Sequence, residues 1–491
     1  MLIFLILSLT VSLTYSYDSQ DIVCDRKKQI GIEVDAPTYY SDRWNESVSA
    51  PIYAPSQQCQ WKVYVPAALY ALFTMEANIG VDSVLKITDI NNKSEKVMTS
   101  DQQPYVFVGA WFLIDLTVGP NGTATSLGFK VQWIEYPTPN PANYTVSKTS
   151  DALYFDEMLS ENSVTITADT RVSLIAFPSD IADLTPLLRL TLVFDGPDMN
   201  SPYLGTLFQA LRCNTPMVSS NTTMTIFTFQ EDYVIGSYFV VQDYYNVQNL
   251  AELKGITCWS QSSCPITLNA VNGPVAAMTL NLDDGDEFIK QLDLSSNATL
   301  KIYIGARREN NETNLIASYN SLQSKSNIPQ KFNGDIMTYY LENGTALVEL
   351  AEDSNYTRWN DAANGRAGFM TSRQLGTLCD YQDLYETIGG LQANQTFTFT
   401  VNVTYMDLSN DAKLTITFAN STGHKDYIFS KDTLPAATVF SENSNNMTVS
   451  YFTNGTNTTG FYLGFKIGQL SMSGSNVSLV MAFLIIFISL L

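Results

Sequence analysis

The chain of 491 residues contains a single histidine, His424, and that scarcity removes much chemistry at once. An HExxH helix or a histidine-rich metal site cannot be assembled, and a Ser-His-Asp triad would have to use this one residue, which sits in the turn-rich stretch NSTGHKDY. Basic residues are also sparse: 27 Lys and Arg stand against 48 Asp and Glu, a formal net charge of -21, with the acids scattered rather than massed. Nucleic acid is excluded as a partner class, because binding it needs basic surface that displaces counterions. The acidity reads as solubility. There is no GxSxG elbow, no P-loop and no GxGxxG after a strand, so no cofactor is expected and the chain does not read as an enzyme. The acidic run LDDGDEF (282–288) crowds its carboxylates into one turn, whereas glycosidic chemistry needs two held about 5 to 10 Å apart across a substrate. A solvated inter-strand turn is expected there, and GARRENNET with Arg307 and Arg308 reads as an exposed loop. Trp61, Trp111, Trp133 and Phe129 alternate with polar neighbours as core residues do; of the adjacent Tyr244 and Tyr245, one must point outward.

Long apolar runs are confined to the two ends. Residues 1–16 read as a signal peptide, with an apolar Leu2 to Leu13 followed by the small residues Thr14 and Ser16. At the other end Leu479 to Leu491 is thirteen residues, a helix of only ~20 Å against a hydrocarbon core of ~30 Å. No Lys or Arg follows it, and Ser471, Ser473, Gly474 and Ser475 precede it. That layout fits a glycosylphosphatidylinositol attachment signal over 474–491 with Ser473 as the attachment residue; a tail anchor and a terminal strand are the alternatives. The expected location is the outer leaflet of the plasma membrane, reached by secretion, with a lipid as the only membrane partner.

Sixteen N-x-S/T sequons fit that route: Asn45, Asn92, Asn121, Asn143, Asn221, Asn297, Asn311, Asn343, Asn355, Asn394, Asn402, Asn420, Asn446, Asn454 and Asn457, with Asn476 inside the tail. Six cysteines form an even set, so disulfides are expected rather than metal thiolates.

Aromatic and β-branched residues are plentiful and helical periodicity is scarce, so the fold class is all-β. In FTFTVNVTY the apolar set Phe397, Phe399, Val401, Val403 and Tyr405 faces one way, and Asn402 lies on the polar face. Segments such as VDSVLKITDINNKSEKV, RLTLVFDGPDMNSPYLGTL, ATLKIYIGARRENNETNLIASY and AKLTITFANSTGHKDYIF share one plan, and Pro104, Pro216, Pro329 and Pro435 recur 112, 113 and 106 residues apart. The expectation is four antiparallel β-sandwich units over 20–137, 146–248, 256–354 and 378–469, with the proline-rich EYPTPNPANYT (135–145) as an extended linker.

The stretch APTYYSDRWNESVSAPIYAPSQQCQWKVYVP (36–66), with Cys24 upstream and LGFKVQWIEYP (127–137) as a closing strand, resembles a CUB domain, in particular the divergent CUB-like domain of nematode secreted and surface proteins. LVFDGPDMNSPYLGTL with NTPMVSSNTTMTIFTF is similar to the middle of a CUB domain. The resemblance implies tandem CUB-like binding modules, with a microbial or extracellular protein or glycan ligand and a part in innate defence. It implies a Cys24–Cys59 bridge; Cys258–Cys264 would close a small loop and leave Cys213–Cys379, although fifteen pairings are open to six cysteines. Many CUB domains hold Ca²⁺ through a Glu and two Asp. Glu76 and Asp82 sit near two of those places, while the third falls near Asn121, so no metal is expected.

Overall fold

The computed structural model describes residues 22–24, 26–32, 37–40, 44–100, 104–120, 125–155, 162–179, 181–229, 238–258, 263–281, 286–322, 324–390, 395–435 and 437–469. The signal peptide over 1–16, Asn121, Asn394, Ser473 and the 474–491 signal lie outside the described residues.

Among the described residues strands dominate, in eight sheets that form four successive pairs. In the first unit a five-stranded sheet runs in the order 28–30, 58–64, 111–117, 84–88, 94–97 and a four-stranded sheet in the order 38–40, 126–135, 69–78, 105–107. Counting strands along the chain within the unit, the orders are 1-3-8-5-6 and 2-9-4-7. The same two orders recur in the second unit (strands from 141–146 to 239–243) and in the third (252–256 to 345–351). In the fourth (367–371 to 461–469) they recur without the first strand. In each of the first three units that first strand pairs parallel to the third. Pro104, Pro216 and Pro329 each stand immediately before a seventh strand, where a residue without an N–H costs no ladder bond.

Each unit has its own apolar core between its two sheets. The strict alternation that marks a half-buried strand survives in Gln58–Tyr64, where Cys59, Trp61 and Val63 point inward. It fails in Val172–Ala176, Phe239–Asp243, Val275–Leu280 and Ile336–Leu341, which are buried at every position. Their second faces are covered by a neighbouring unit. Tyr70, Leu72, Val106 and Val108 of the first four-stranded sheet meet Leu192, Phe194 and Phe227 of the second five-stranded sheet. Ile175 and Val240 then meet Met278, Leu280, Tyr303 and Tyr340 in the same way. The fourth unit instead sets Phe369 and Tyr462 against the third core, with Phe332 and Phe369 ring centroids 5.5 Å apart.

Several expectations are corrected. The 135–145 stretch is not a free linker: Pro141–Val146 is a strand paired with 163–168, and Tyr136 packs against Tyr70 and Phe229. Tyr405 does not join the inward set, because a register shift between Val403 and Tyr405 turns it outward. Disulfides join Cys24 to Cys59 and Cys258 to Cys264. The expected Cys213–Cys379 bridge does not form. Cys213 is an exposed free thiol after the short helix Leu207–Leu211 of the second unit, and Cys379 is buried in the fourth, bridged by backbone to Thr458. The first bridge closes a 35-residue interval, worth ~3 to 4 kcal/mol by restriction of the unfolded chain.

The closing strand carries a strict steric demand at Gly128. A Cβ there would lie 2.4 Å from the Trp44 ring, which crosses the outer face of the sheet and donates from Nε1 to Glu76 Oε2 at 3.3 Å. Gly128→Ala is expected to cost about 2 kcal/mol, read as a lower unfolding midpoint, and Trp44→Ala in the same chain should recover part of the loss. A Gly128→Ala chain as stable as the wild type would refute the overlap.

Candidate functional site

Glu76 sits on the outer face of the first four-stranded sheet opposite Gly128, and its two oxygens accept from Trp44 Nε1 and from the Ala50 amide at 3.0 Å. It braces the 44–50 segment. Asp82 lies beside Gly119, whose absent side chain leaves room for that carboxylate. Among the described residues no three His, Cys, Asp or Glu side chains are grouped as a metal site would require. His424 stands on the exposed hairpin strand Gly423–Phe429, with Nε2 3.8 Å from Asp426. Of the acidic run, Asp286 and Glu287 are described, and they correct the expectation of a solvated turn: both belong to the strand Asp286–Leu294 and point into different surroundings. Asp286 is 2.6 Å from Lys331 Nζ, while Glu287 is buried and accepts from the Tyr339 hydroxyl and from Asn281 at 3.2 Å.

What the structure gathers instead is a set of polar locks at the joints between units, and composition gave no sign of them. At the first joint Arg189, 3% exposed, is bonded through Nη2 and through Nε (3.1 Å) to Glu95 and lies between the rings of Tyr105 and Phe208. Around it Gln209 donates to Asp89 (2.8 Å), Asn91 to the Tyr203 carbonyl (2.8 Å) and Lys93 to the Leu204 carbonyl (2.8 Å). The Thr206–Gln209 capping box fixes the helix that carries Gln209. Beside this network an open groove of about 360 Å³ is lined by Lys93, Tyr203, Cys213 and Met217.

At the second joint Arg307 pairs with Glu309 at 2.8 Å and lies over the Tyr340 ring, and Arg308 pairs with Asp151. Glu309 N–H donates to Asn246 Oδ1 at 3.0 Å. This corrects the reading of GARRENNET as an exposed loop: Arg308 through Asp151, and Arg307 through the Asn246 carbonyl at 3.4 Å, hold the second unit to the third. Tyr244, stacked on Arg171, and Tyr245, within 4.9 Å of Lys148 Nζ, belong to the same joint. At the third joint Lys331 is held between Asp286 and Glu386, burial opposing its charge but the two carboxylates outweighing burial, so its pKa is raised. Gln330 clamps the Phe369 backbone by donating to its carbonyl (2.9 Å) and accepting from its N–H (3.1 Å). Arg366, stacked on Trp359, is lowered to about 10 by burial.

Aromatic placement needs a second correction. Trp61 and Phe129 are core and Trp133 packs against it, its indole donating to the Tyr64 carbonyl at 2.9 Å, but Trp111 lies half-exposed on the outer face of the first five-stranded sheet. The sequon residues Asn45, Asn92, Asn143, Asn221, Asn297, Asn343, Asn355, Asn420, Asn454 and Asn457 are exposed; Asn311, Asn402 and Asn446 are half-buried.

Residues 19–137 match the family model described as CUB-like domain. The first unit carries a CUB-like domain. Residues 145–229 and 245–353 match two further family models, each described as a domain of unknown function (DUF7592 and DUF7591). Among curated proteins none matches the chain. Of solved structures, the CUB1-EGF-CUB2 domains of rat MASP-1 are 9% identical, with 44% of this chain and 99% of that one covered at a TM-score of 0.19. The full extracellular region of zebrafish Gpr126/Adgrg6 is 9% identical, with 89% and 52% covered at a TM-score of 0.18. At such scores the superpositions carry no argument. The Cys24–Cys59 bridge, the Trp61 core and the Trp44–Gly128 contact all lie within the matched residues.

Two outcomes follow from these buried charges. Arg189→Ala leaves Glu95 facing a buried joint without its main partner and should lower stability by about 3 kcal/mol, measured by chemical denaturation; a loss under about 1 kcal/mol, the range of exposed pairs, would show the pair to be superficial. Burial raises the Glu287 carboxyl above its ordinary 4.5, opposed by hydrogen bonds from Tyr339 and Asn281. The native state therefore holds that proton more tightly than the unfolded chain. The resulting stability is complete below 4.5 and is lost as pH rises through the native value. Glu287→Gln should flatten that decline in a series of unfolding curves from acid to neutral pH, and an unaltered slope would mean that Glu287 does not cause it.

Proposed function

We propose that this chain is an extracellular binding glycoprotein rather than an enzyme, displaying a stack of CUB-like modules from a glycosylphosphatidylinositol anchor on the cell surface. The observation that carries the reading is the match of residues 19–137 to the CUB-like domain. Two disulfides and ten exposed sequon asparagines support an extracellular setting. The buried ionic groups support binding over catalysis, since Arg189, Arg308 and Lys331 are used in joining units. The defence role follows from the resemblance of the first unit to nematode CUB-like proteins, with microbial surface material as the ligand class. A second reading, a stiff glycoprotein coat without a dedicated ligand, draws on the packed joints and on exposed Asn420, Asn454 and Asn457 near the proposed anchor.

The test is made on expressing cells treated with phosphatidylinositol-specific phospholipase C. The protein is expected in the medium, and the released protein should be retained saturably by bacterial cells or their isolated glycans. Retention on the expressing cells would refute the lipid anchor; release without saturable binding would favour the coat.

A further inference from the structure

The packing rule of the stack singles out one face. The five-stranded sheets of the second and third units are covered by the four-stranded sheet of the preceding unit, and the outward residues that meet it include the large apolar Leu192, Phe194 and Phe227 in one and Met278 and Tyr340 in the other. The equivalent face of the first unit bears a different set. On it Tyr64 stands opposite Trp111, Lys62 opposite Leu113, and Gln60 opposite Asp115. Asp115 in turn stands opposite Lys86, and Lys86 directly opposite Lys96. Tyr64 is 37% exposed, Trp111 half-exposed, and Lys86 and Lys96 exposed.

Two features of this face call for an external partner. The first is charge. Like charges directly opposite on neighbouring strands are destabilising, yet Lys86 and Lys96 face each other in a chain with 48 acids available against 27 bases. The acid in that row, Asp115, accepts from Gln60 Nε2 at 2.7 Å, and among the described residues no carboxylate forms an ion pair with either lysine. The second is the aromatic pair. Lys62 Nζ lies 4.6 Å from the Trp111 centroid and 5.3 Å from that of Tyr64, so the lysine and the rings form one platform with its cation held in place. Flat rings suit the C–H faces of a pyranose, Gln60 and Asp115 can engage hydroxyls, and three lysines complement a row of anionic groups.

We propose that the outer face of the first unit's five-stranded sheet, built from Tyr64, Lys62, Trp111, Lys86 and Lys96, binds an acidic polysaccharide. This rests on the extracellular binding reading above and gives it a surface and a ligand class. The rings stack on successive sugar units while the lysines meet their carboxylates or sulfates, so affinity falls as salt screens the charges.

The experiment uses the full chain, passed over immobilised polygalacturonate, heparin, neutral dextran and a single-stranded oligonucleotide. Retention is expected on one or both acidic polysaccharides, weakening with salt, and not on dextran. Lys86→Gln with Lys96→Gln should reduce affinity about tenfold or more. Trp111→Ala should weaken binding while leaving its salt dependence unchanged. Because Lys86 and Lys96 are exposed, the lysine variant carries the test even if Trp111→Ala unfolds. Affinity unchanged in the lysine variant, equal retention on dextran, or tighter binding of the oligonucleotide would each overturn the proposal. A wild-type chain that ignores both acidic polymers but is retained by bacterial cells would sink this face and leave the broader reading standing; failure on polymers and cells alike would sink both.

Discussion

The arrangement depends on sheets that are apolar on both faces. A single β-sandwich needs one buried face per sheet, and a strand that buries its second face must find another surface to put against it. In the second and third units that surface is supplied by the preceding unit of the chain: Phe194 and Phe227 have no place in their own core and are covered by Val106 and Val108. The joints are therefore as much a product of hydrophobic burial as the cores are. Only at the third joint does the rule change. The fourth unit lacks the parallel first strand, and Trp359 with the 360–362 segment occupies the place beside Gly389 instead.

Apolar contact alone would let flat sheet faces slide, and the polar locks restrict that freedom. Arg189 between two rings, Gln330 bonded twice to one residue's backbone and Glu309 donating to Asn246 each fix a position that burial leaves loose. Desolvating an arginine or a lysine is costly, and such a group is retained only where a carboxylate and further hydrogen bonds offset the loss of water. That condition is met by Glu95 for Arg189 and by the Asp286 and Glu386 pair for Lys331. The result is a stack whose charged interior groups are committed to geometry. Thr398, Thr400, Thr404 and Asn402 give the strand Phe397–Met406 a polar outer face.

Much of a unit was legible along the chain. Alternation marked Gln58–Tyr64 and most of Phe397–Met406 correctly, because one face of each meets a core and the other meets water. The errors cluster where that premise fails. Arg307 and Arg308 read as surface because a polar loop between strands ordinarily meets solvent, and nothing local marks that another unit lies against it. Trp111 read as core by alternation, and only the register opposite Tyr64 reveals that it faces outward. Tyr405 misled for a local reason, since one bulge exchanges the two faces of a strand.

By itself the order of residues determined the all-β class, the scarcity of histidine chemistry, and the short-range geometry that closes Cys258 onto Cys264. These are properties of composition or of neighbours within a few residues, and they hold in whatever way the chain is folded. Tertiary structure alone decided which sheet faces became joints, which charges were buried with partners, and why Cys213 and Cys379 remain apart. Those outcomes depend on residues about a hundred positions away being carried to within a few ångströms, as Glu95 is to Arg189, and no local pattern encodes such a meeting.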